Sequence, residues 1–367
     1  MDIKPLLREM IEKKASDLHL RSGSPAVLRI DGKLSPMKKT VSIEEMAVLS
    51  NALMNDEQKL AFKLRHEVDL GYTFDEDLGR FRINIFRQRG MINMAMRIIP
   101  VKIPTIAELK LPPVISQIAD NQRGLVLVTG TTGCGKSSTL AAMINHINTT
   151  RSANIITIED PIEFIHRDVK SIVSQRELGF DTLTYIDALK NVVRQDPDVI
   201  LLGEMRDLET VATAITAAQT GHLVLSTIHT VNASQSVNRM VDLFPPHQHD
   251  QIRVLLADTL KAVISQRLLP HASGTGRVPA VEVLVVTPLV KKMIEENNLS
   301  EVVSLMKGGQ YYGMQTFNQA LIKLFQSGEI KLEDALNAAT NPEELMLTIR
   351  GIQTSTEDAA HSSFFEK

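Results

Sequence analysis

Gly130-Thr131-Thr132-Gly133-Cys134-Gly135-Lys136-Ser137 fits the pattern G-x-x-x-x-G-K-[S/T] at every fixed position. The pattern signals a phosphate cradle only where a strand feeds it and a helix leaves it, and both flanks qualify. Leu125-Val126-Leu127-Val128 is an apolar run of strand length, and Ser138-Thr139-Leu140-Ala141-Ala142-Met143-Ile144 continues as a helix. The glycines let backbone N–H groups turn inward around phosphate oxygens, and the helix N-terminus adds its positive dipole end. Gly130, Thr131, Thr132, Gly133, Cys134, Gly135, Lys136, Ser137 and Ser138 are therefore expected to bind a nucleotide. Lys136 would reach the β- and γ-phosphates and the Ser137 hydroxyl would ligate Mg2+. The expectation is a P-loop ATPase using ATP and Mg2+.

Outward from this loop, short apolar runs alternate with helical segments. Ile155-Ile156-Thr157-Ile158, Val199-Ile200-Leu201-Leu202 and Leu223-Val224-Leu225-Ser226-Thr227 match the run before the loop. Strands of this kind are buried on both faces, as in a parallel sheet covered by helices. Beyond about residue 285 the pattern becomes helical, with clear segments at 317–327 and 332–339, and the polar end 353–367 reads as a disordered tail.

Phosphoryl transfer to water needs a metal to neutralise charge and a group to orient the attacking water. Two of the strands end in acids, where a doubly wound sheet opens its ligand crevice. Val199 to Leu202 runs into Gly203-Glu204, and Ile155 to Ile158 runs into Glu159-Asp160-Pro161-Ile162-Glu163. Glu204 is the choice for water activation and, with Ser137, for the Mg2+ shell. Glu163 is a supporting catalytic acid and Glu159 a supporting nucleotide-site acid. Strand-end acids are often no more than solvated turn residues; their distance from a P-loop favours the functional reading here.

Thr220-Gly221-His222-Leu223 to Ile228-His229-Thr230 places histidines at both ends of another strand. A zinc pair lacks a further Cys or close His to complete its ligands. Beside the P-loop strand, His229 is expected to sense the γ-phosphate and His222 to join the nucleotide site, against the plainer reading of satisfied core histidines. Cys134 reads as a small spacer in the loop, with a reactive thiol near cationic groups as the alternative.

The first hundred residues have the pattern of a small α+β domain. Residues 5–14 have helical spacing, and 17–20 and 26–30 alternate like strands before an Asp31-Gly32 turn. Gly79 to Arg87 alternates apolar with polar or basic residues, and Met91 to Ile99 follows as a partner strand after the Arg89-Gly90 turn. Arg80, Arg82 and Arg97 are candidates for an arginine finger that stabilises the transferring phosphoryl, set against a solvated basic face. Pro100, Pro104, Pro112 and Pro113 mark a connector.

The 367 residues carry a net charge of −3 and no Lys/Arg-rich run, and only 4% are aromatic with no Trp, which argues against nucleic acid as a partner. The single cysteine excludes an internal disulfide and a cysteine zinc site. No apolar run approaches the ~20 residues needed to span a bilayer, and the start Met1-Asp2-Ile3-Lys4-Pro5 is not a signal segment, so the expected place is the cytoplasm.

Four ordered blocks together resemble the secretion and type IV pilus ATPase superfamily. They are the P-loop, Thr157-Ile158-Glu159-Asp160-Pro161-Ile162-Glu163-Phe164, the span from Arg194-Gln195-Asp196-Pro197-Asp198 to Gly203-Glu204-Met205-Arg206-Asp207, and Thr220 to His229. Chain length and the lone cysteine fit the retraction (PilT) branch better than the extension and type II secretion branches, which usually carry a longer N-terminal region and a four-cysteine zinc module. Asp17-Leu18-His19-Leu20, Arg29-Ile30-Asp31-Gly32 and Gly313-Met314-Gln315-Thr316 are similar to that branch. The resemblance implies an α/β architecture, with a PAS-like N-terminal α+β domain at 1–100, a linker at 101–113, a RecA-like ATPase core at 114–285 and a C-terminal helical part at 286–352. It also implies a homo-hexamer at the cytoplasmic face of the inner membrane, peripheral to it through a pilus platform protein, and retraction of the pilus by ATP hydrolysis. The branch's Ala-Ile-Arg-Asn-Leu-like motif is replaced here by Leu289-Val290-Lys291-Lys292-Met293-Ile294. The C-terminal helices also resemble the accessory (PilU) paralogue. A RecA-like nucleic-acid motor, a non-hydrolysing nucleotide switch and a small-molecule kinase are the rival readings.

Overall fold

The computed structural model describes residues 2–30, 32–75, 79–99 and 102–351. Asp31 of the expected turn, Pro100 of the expected connector and the tail 353–367 lie outside the described residues. The chain divides into two compact units: Met1–Ile103 with Asp160–Ile165, and Pro104–Glu159 with His166–Lys367. The six-residue excursion Asp160–Ile165 into the first unit has no counterpart in the sequence pattern, which places that segment inside the ATPase core.

The first unit is an antiparallel sheet of six strands: β1 (Asp17–Arg21), β2 (Ser24–Ile30), β3 (Lys33–Val41), β4 (Glu67–Asp75), β5 (Gly79–Gln88) and β6 (Met91–Ile98), in the order β3-β2-β1-β6-β5-β4. Side chains alternate across a strand, so every second residue of β1, β5 and β6 faces the core. Leu18, Leu20, Phe81, Ile83, Ile85, Met94 and Met96 are all buried there. Leu6, Leu7 and Met10 of the helix Lys4–Glu12 pack into the same cluster. The helices Ile43–Leu53 and Asp56–Arg65 both begin in capping boxes, Ser42 with Glu45 and Asn55 with Gln58, each satisfying two orphan donors.

The second unit holds seven strands: β7 (Gly124–Gly130), β8 (Asn154–Glu159), β9 (Ile172–Glu177), β10 (Val199–Leu202), β11 (Leu223–Ile228), β12 (Leu260–Pro270) and β13 (Arg277–Val285). Their order is β13-β12-β7-β11-β10-β8-β9, and every pair is parallel except β12 with β13. The four apolar runs read from sequence are the parallel strands β7, β8, β10 and β11. Leu125, Leu127, Ile200, Leu202 and Val224 point to one face, against the helices Tyr185–Val192, Leu208–Gln219, Ala233–Asp242 and His249–Thr259. Val126, Val128, Val199, Leu201, Leu223 and Leu225 point to the other, against Lys136–Thr150 and Val114–Ala119. A sheet sandwiched in this way explains why the runs are largely apolar on both faces.

β9, β12 and β13 are not legible in the apolar pattern. β9 and β13 are the sheet edges. An edge tolerates the polar run Ile172-Val173-Ser174-Gln175-Arg176-Glu177, and it tolerates Pro279 within β13 because a missing donor there costs no internal ladder bond. Among the described residues after β13, α-helices lie at Pro288–Glu295, Leu299–Gly308, Phe317–Gln326, Leu332–Ala338 and Pro342–Ile349, with a 3-10 turn at Gly309–Tyr312.

Candidate nucleotide site

Because β7, β8, β10 and β11 are parallel, their C-terminal ends share one edge of the sheet, the edge where such folds bind ligands. β7 ends at Gly130 and the helix Lys136–Thr150 starts six residues later, with Gly135 as its N-cap at φ +96°. Gly130 has φ +138°, and a Cβ there would stand 2.5 Å from both Cys134 Sγ and the Gln266 carbonyl oxygen. Only glycine fits that corner. Lys136 Nζ donates to the carbonyls of Gly130 (2.9 Å) and Thr131 (3.0 Å), so the ammonium lies over the loop it would serve. Thr131, Thr132 and Gly133 are exposed, while Ser137 and Ser138 are half-buried in the first helical turn.

The loop is braced from β12. Thr129 donates to Ser265 Oγ at 2.9 Å, and the Gln266 amide donates to the hydroxyl of Thr139 at 2.7 Å. Cys134 is buried, and that burial pushes its thiol up against the opposing pull of the Lys136 ammonium. A raised thiol favours the spacer reading over the reactive-thiol alternative.

On the neighbouring strands, Glu204 follows β10 and His229 follows β11. The Glu204 carboxylate pairs with Arg206, and its Oε2 lies 3.4 Å from His229 Nε2. Backbone bonds stitch these strand ends together: Gly203 N–H donates to Ile158 O, Met205 N–H to Thr227 O, and the Thr227 hydroxyl to Gly203 O. Glu159, at the end of β8, accepts from the Thr157 hydroxyl (2.7 Å) and from the Gln175 amide (3.1 Å) on one oxygen, Oε1. Arg206, Thr157 and Gln175 received no role from the sequence. Arg206 and Thr157 stand inside recognised blocks, where their nearness to an acid was the available signal; Gln175 lies on an edge strand that the pattern does not reveal.

The P-loop, Glu159, Glu204 and His229 thus meet at one sheet edge. His222 does not join them. It precedes β11 at the opposite end, roughly 20 Å away along six strand residues. There its Nδ1 lies 2.9 Å from Ala217 O and 3.2 Å from the Thr220 hydroxyl, closing the end of the helix Leu208–Gln219. Within one chain His222 therefore stands apart from the strand ends that carry the P-loop, Glu204 and His229.

Glu163 is exposed in the excursion Asp160–Ile165 and belongs to the first unit, as do Arg80, Arg82 and Arg97. The register of that sheet puts Arg29, Asp17, Arg97 and Arg82 side by side across β2, β1, β6 and β5. Asp17 takes a 2.8 Å bond from Arg97 and a looser 3.8 Å contact from Arg29. Burial opposes ionisation of Asp17, but bonds from Ser16 and Arg97 outweigh it and hold the carboxyl below its usual range. Arg82 lies 3.9 Å from Asp69, and Arg80 lies 3.4 Å from the Thr73 hydroxyl. Arg82 and Arg97 face each other directly, an arrangement of like charges that costs stability.

No group of three or more His, Cys, Asp or Glu among the described residues could hold a metal by itself.

A P-loop at the C-terminal edge of a mainly parallel, helix-covered sheet, with an acid and an imidazole on the adjacent strand ends, defines a P-loop nucleotide-binding protein. The chain belongs to the family described as Type II/IV secretion system protein, whose model matches residues 1–283. It is 43% identical over 364 residues to the type IV pilus ATPase PilU of Pseudomonas aeruginosa, covering 99% of this chain and 94% of that protein. It is 42% identical over 344 residues to the type IV pilus retraction ATPase PilT of the same organism, covering 94% of this chain and 99% of that protein. Among solved structures it superposes with a TM-score of 0.88 on the pilus retraction motor PilT with bound ADP, at 44% identity over 94% of this chain and 99% of the other. No described helix is long and apolar enough to cross a membrane.

Proposed function

We propose that this chain is an ATPase motor that hydrolyses ATP to power retraction of type IV pili. The observation that carries the reading is the Glu204–His229 pair beside the P-loop at one sheet edge: a scaffold that only bound nucleotide would need the cradle but not the acid. The relatives' names supply the biological setting. The chain would act as a homo-hexamer of subunits, each with a PAS-like first unit and a RecA-like second unit. It would work at the cytoplasmic face of the inner membrane against a pilus platform protein, without nucleic acid.

In this reading the backbone from Gly130 to Ser138 receives the phosphates and Lys136 leaves its loop carbonyls for the β- and γ-oxygens. Ser137 and Glu204 would hold Mg2+, whose contribution is to neutralise phosphate charge. Glu204 orients the attacking water, with His229 fixing its carboxylate and answering to the γ-phosphate. Glu159 shapes the crevice and Glu163 supports the water. Arg80, Arg82 and Arg97 are the candidates for stabilising charge on the transferred phosphoryl; the opposed pair Arg82 and Arg97 favours this, since anion binding would relieve their repulsion.

A second reading, an accessory retraction ATPase, is favoured by the helix Pro288–Glu295. There Val290 and Ile294 stay buried, while Leu289 is exposed and Lys291 and Lys292 pair with Asp258 and Glu296 at its surface. The segment that stands in place of Ala-Ile-Arg-Asn-Leu thus packs through Val290 and Ile294 and presents Leu289, Lys291 and Lys292 at its surface. The test is piliation and twitching in a strain lacking the gene, complemented with the wild type or with Glu204→Gln. Excess pili without movement, rescued only by the wild type, establishes the main retraction motor. Normal pili with weakened movement establishes the accessory role, and absent pili overturns both.

A further inference from the structure

The acid at the end of β8 is held by a residue of an edge strand that neither the sequence motifs nor the site assignment uses. Thr157 and Glu159 are two residues apart on β8 and so share a face. Gln175 on β9 stands directly beside Thr157 in the parallel register. The Thr157 hydroxyl and the Gln175 amide therefore converge on Glu159 Oε1, at 2.7 Å and 3.1 Å. The other end of the same amide is also engaged, because the backbone N–H of His166 donates to Gln175 Oε1 at 2.8 Å.

Glu159 and His166 are the two residues that flank the excursion Asp160–Ile165. The chain leaves the second unit immediately after Glu159 and re-enters it at His166, and Glu163 lies between. One side chain thus grips both the departure and the return. Glutamine is suited to this, since its amide presents two donors and an acceptor at once, whereas a carboxylate only accepts and a lysine only donates. The His166 ring offers no competing anchor: burial pushes its imidazole down to about 4, so it is neutral at pH 7, and its buried Nδ1 has no hydrogen-bond partner among the described residues. His166 is secured here through its backbone.

We infer that Gln175 is a positioning residue for ATP hydrolysis: it orients Glu159 and fixes the span of the excursion that carries Glu163. The inference rests on the reading of this site as an ATPase site. It predicts a loss of turnover without a matching loss of nucleotide affinity, because the bonds on which it stands run to Glu159 and to the His166 backbone and not to the phosphate cradle.

The test compares the full-length wild type with Gln175→Met, which keeps the length of the side chain but removes both bonds, and with Gln175→Glu, which keeps the acceptor for His166 N–H and removes the donor to Glu159. Steady-state ATP hydrolysis, binding of a fluorescent ADP analogue and amide hydrogen exchange of residues 159–166 are measured on each. Gln175→Met should lose about tenfold or more in kcat, as removal of an outer-shell partner commonly does, with ADP-analogue affinity unchanged and exchange at His166 accelerated. Gln175→Glu should lose kcat while exchange at His166 stays slow. Wild-type kcat in both variants, or exchange in Gln175→Met equal to that of the wild type, overturns the inference. So does a fall in affinity parallel to kcat, which would mark a general structural role. A wild-type protein that hydrolyses no ATP would instead sink the function proposed for the site, and the exchange measurement would still decide whether Gln175 holds the segment.

Discussion

Nε2 of His229 stands 3.4 Å from Oε2 of Glu204, joining the ends of two neighbouring parallel strands across the site edge. The carboxylate is nearly enclosed, with 12% of its side chain accessible, and Arg206 holds it from the other direction. A carboxylate held from two sides cannot swing freely, so if Glu204 orients the attacking water, as proposed, it does so from a position set before substrate arrives. Glu204→Gln keeps the shape and loses the charge. It should bind a fluorescent ADP analogue as the wild type does and lose about 100-fold or more in turnover, the contribution expected of a general base. His229→Ala should lose less, and the double variant should be no slower than Glu204→Gln alone, since the two act as a unit. Phosphate release measured on all three decides this, and additive losses would show that His229 works apart from Glu204.

The corner at Gly130 gives a prediction about folding as well as binding. Alanine there must accept φ near +138° and place its Cβ 2.5 Å from Cys134 Sγ and from the Gln266 carbonyl oxygen of β12, and the second contact is backbone that cannot turn aside. The strained backbone alone costs roughly 1–3 kcal/mol. Gly130→Ala should lower the thermal midpoint and abolish nucleotide binding together. Gly133→Ala, where an added Cβ would meet nothing within 4 Å, should weaken binding with a smaller change in the midpoint.

The contrast between central and edge strands shows what the sequence can reveal. β7, β10 and β11 are buried at every position, so they appear as largely apolar runs whose strand length and flanks separate them from helices. β12 and β13 carry Gln266, Arg267 and Glu282 inside the fold, each made tolerable by a partner distant in sequence. Gln266 meets Thr139, Arg267 stacks 3.8 Å over the Phe317 ring, and Glu282 accepts from the N–H of Ala233. No local pattern can announce such partners. The histidines teach a different lesson. His222 and His229 look alike as strand-end residues, yet β11 runs parallel to β7, so only the residue after the strand can be on the P-loop edge. Strand direction was available in the sequence and separates them.

Arg82 and Arg97 sit directly opposite each other, and only Arg97 is closely paired, through its 2.8 Å bond to Asp17. If one of these arginines stabilises the transferring phosphoryl, its change to alanine should leave affinity for the ADP analogue within a small factor and reduce turnover by roughly a thousandfold. Arg97→Ala also strips Asp17 of the bond that helps to hold its carboxyl low, so it should cost stability at neutral pH, a cost that shrinks as pH falls through the carboxylate range and that Arg82→Ala lacks. Unchanged turnover in Arg80→Ala, Arg82→Ala and Arg97→Ala would remove all three from the chemistry.

Cys134 tests the spacer role. Its thiol is buried and held protonated, so native protein should react slowly with iodoacetamide at neutral pH and rapidly once unfolded. Cys134→Ala should keep ATP turnover close to that of the wild type. Fast alkylation of the native protein, or a large loss of turnover in Cys134→Ala, would reinstate a chemical role for the thiol.

His166 supplies the pH dependence. Its ordinary value is 6.5 and burial lowers it to about 4, so the unfolded chain binds the proton more readily than the folded one. Stability therefore rises with pH wherever the unfolded state carries the extra proton. The contribution of His166 is fully present above pH 6.5, declines as pH falls below it, and is lost once pH has passed through about 4. Urea midpoints measured from pH 7 to pH 4 should fall for the wild type. In His166→Leu, which removes the titrating group and keeps an apolar side chain, the slope should be visibly flatter over the same interval. A slope identical in the two proteins would show that His166 is not the buried neutral group that the fold makes it.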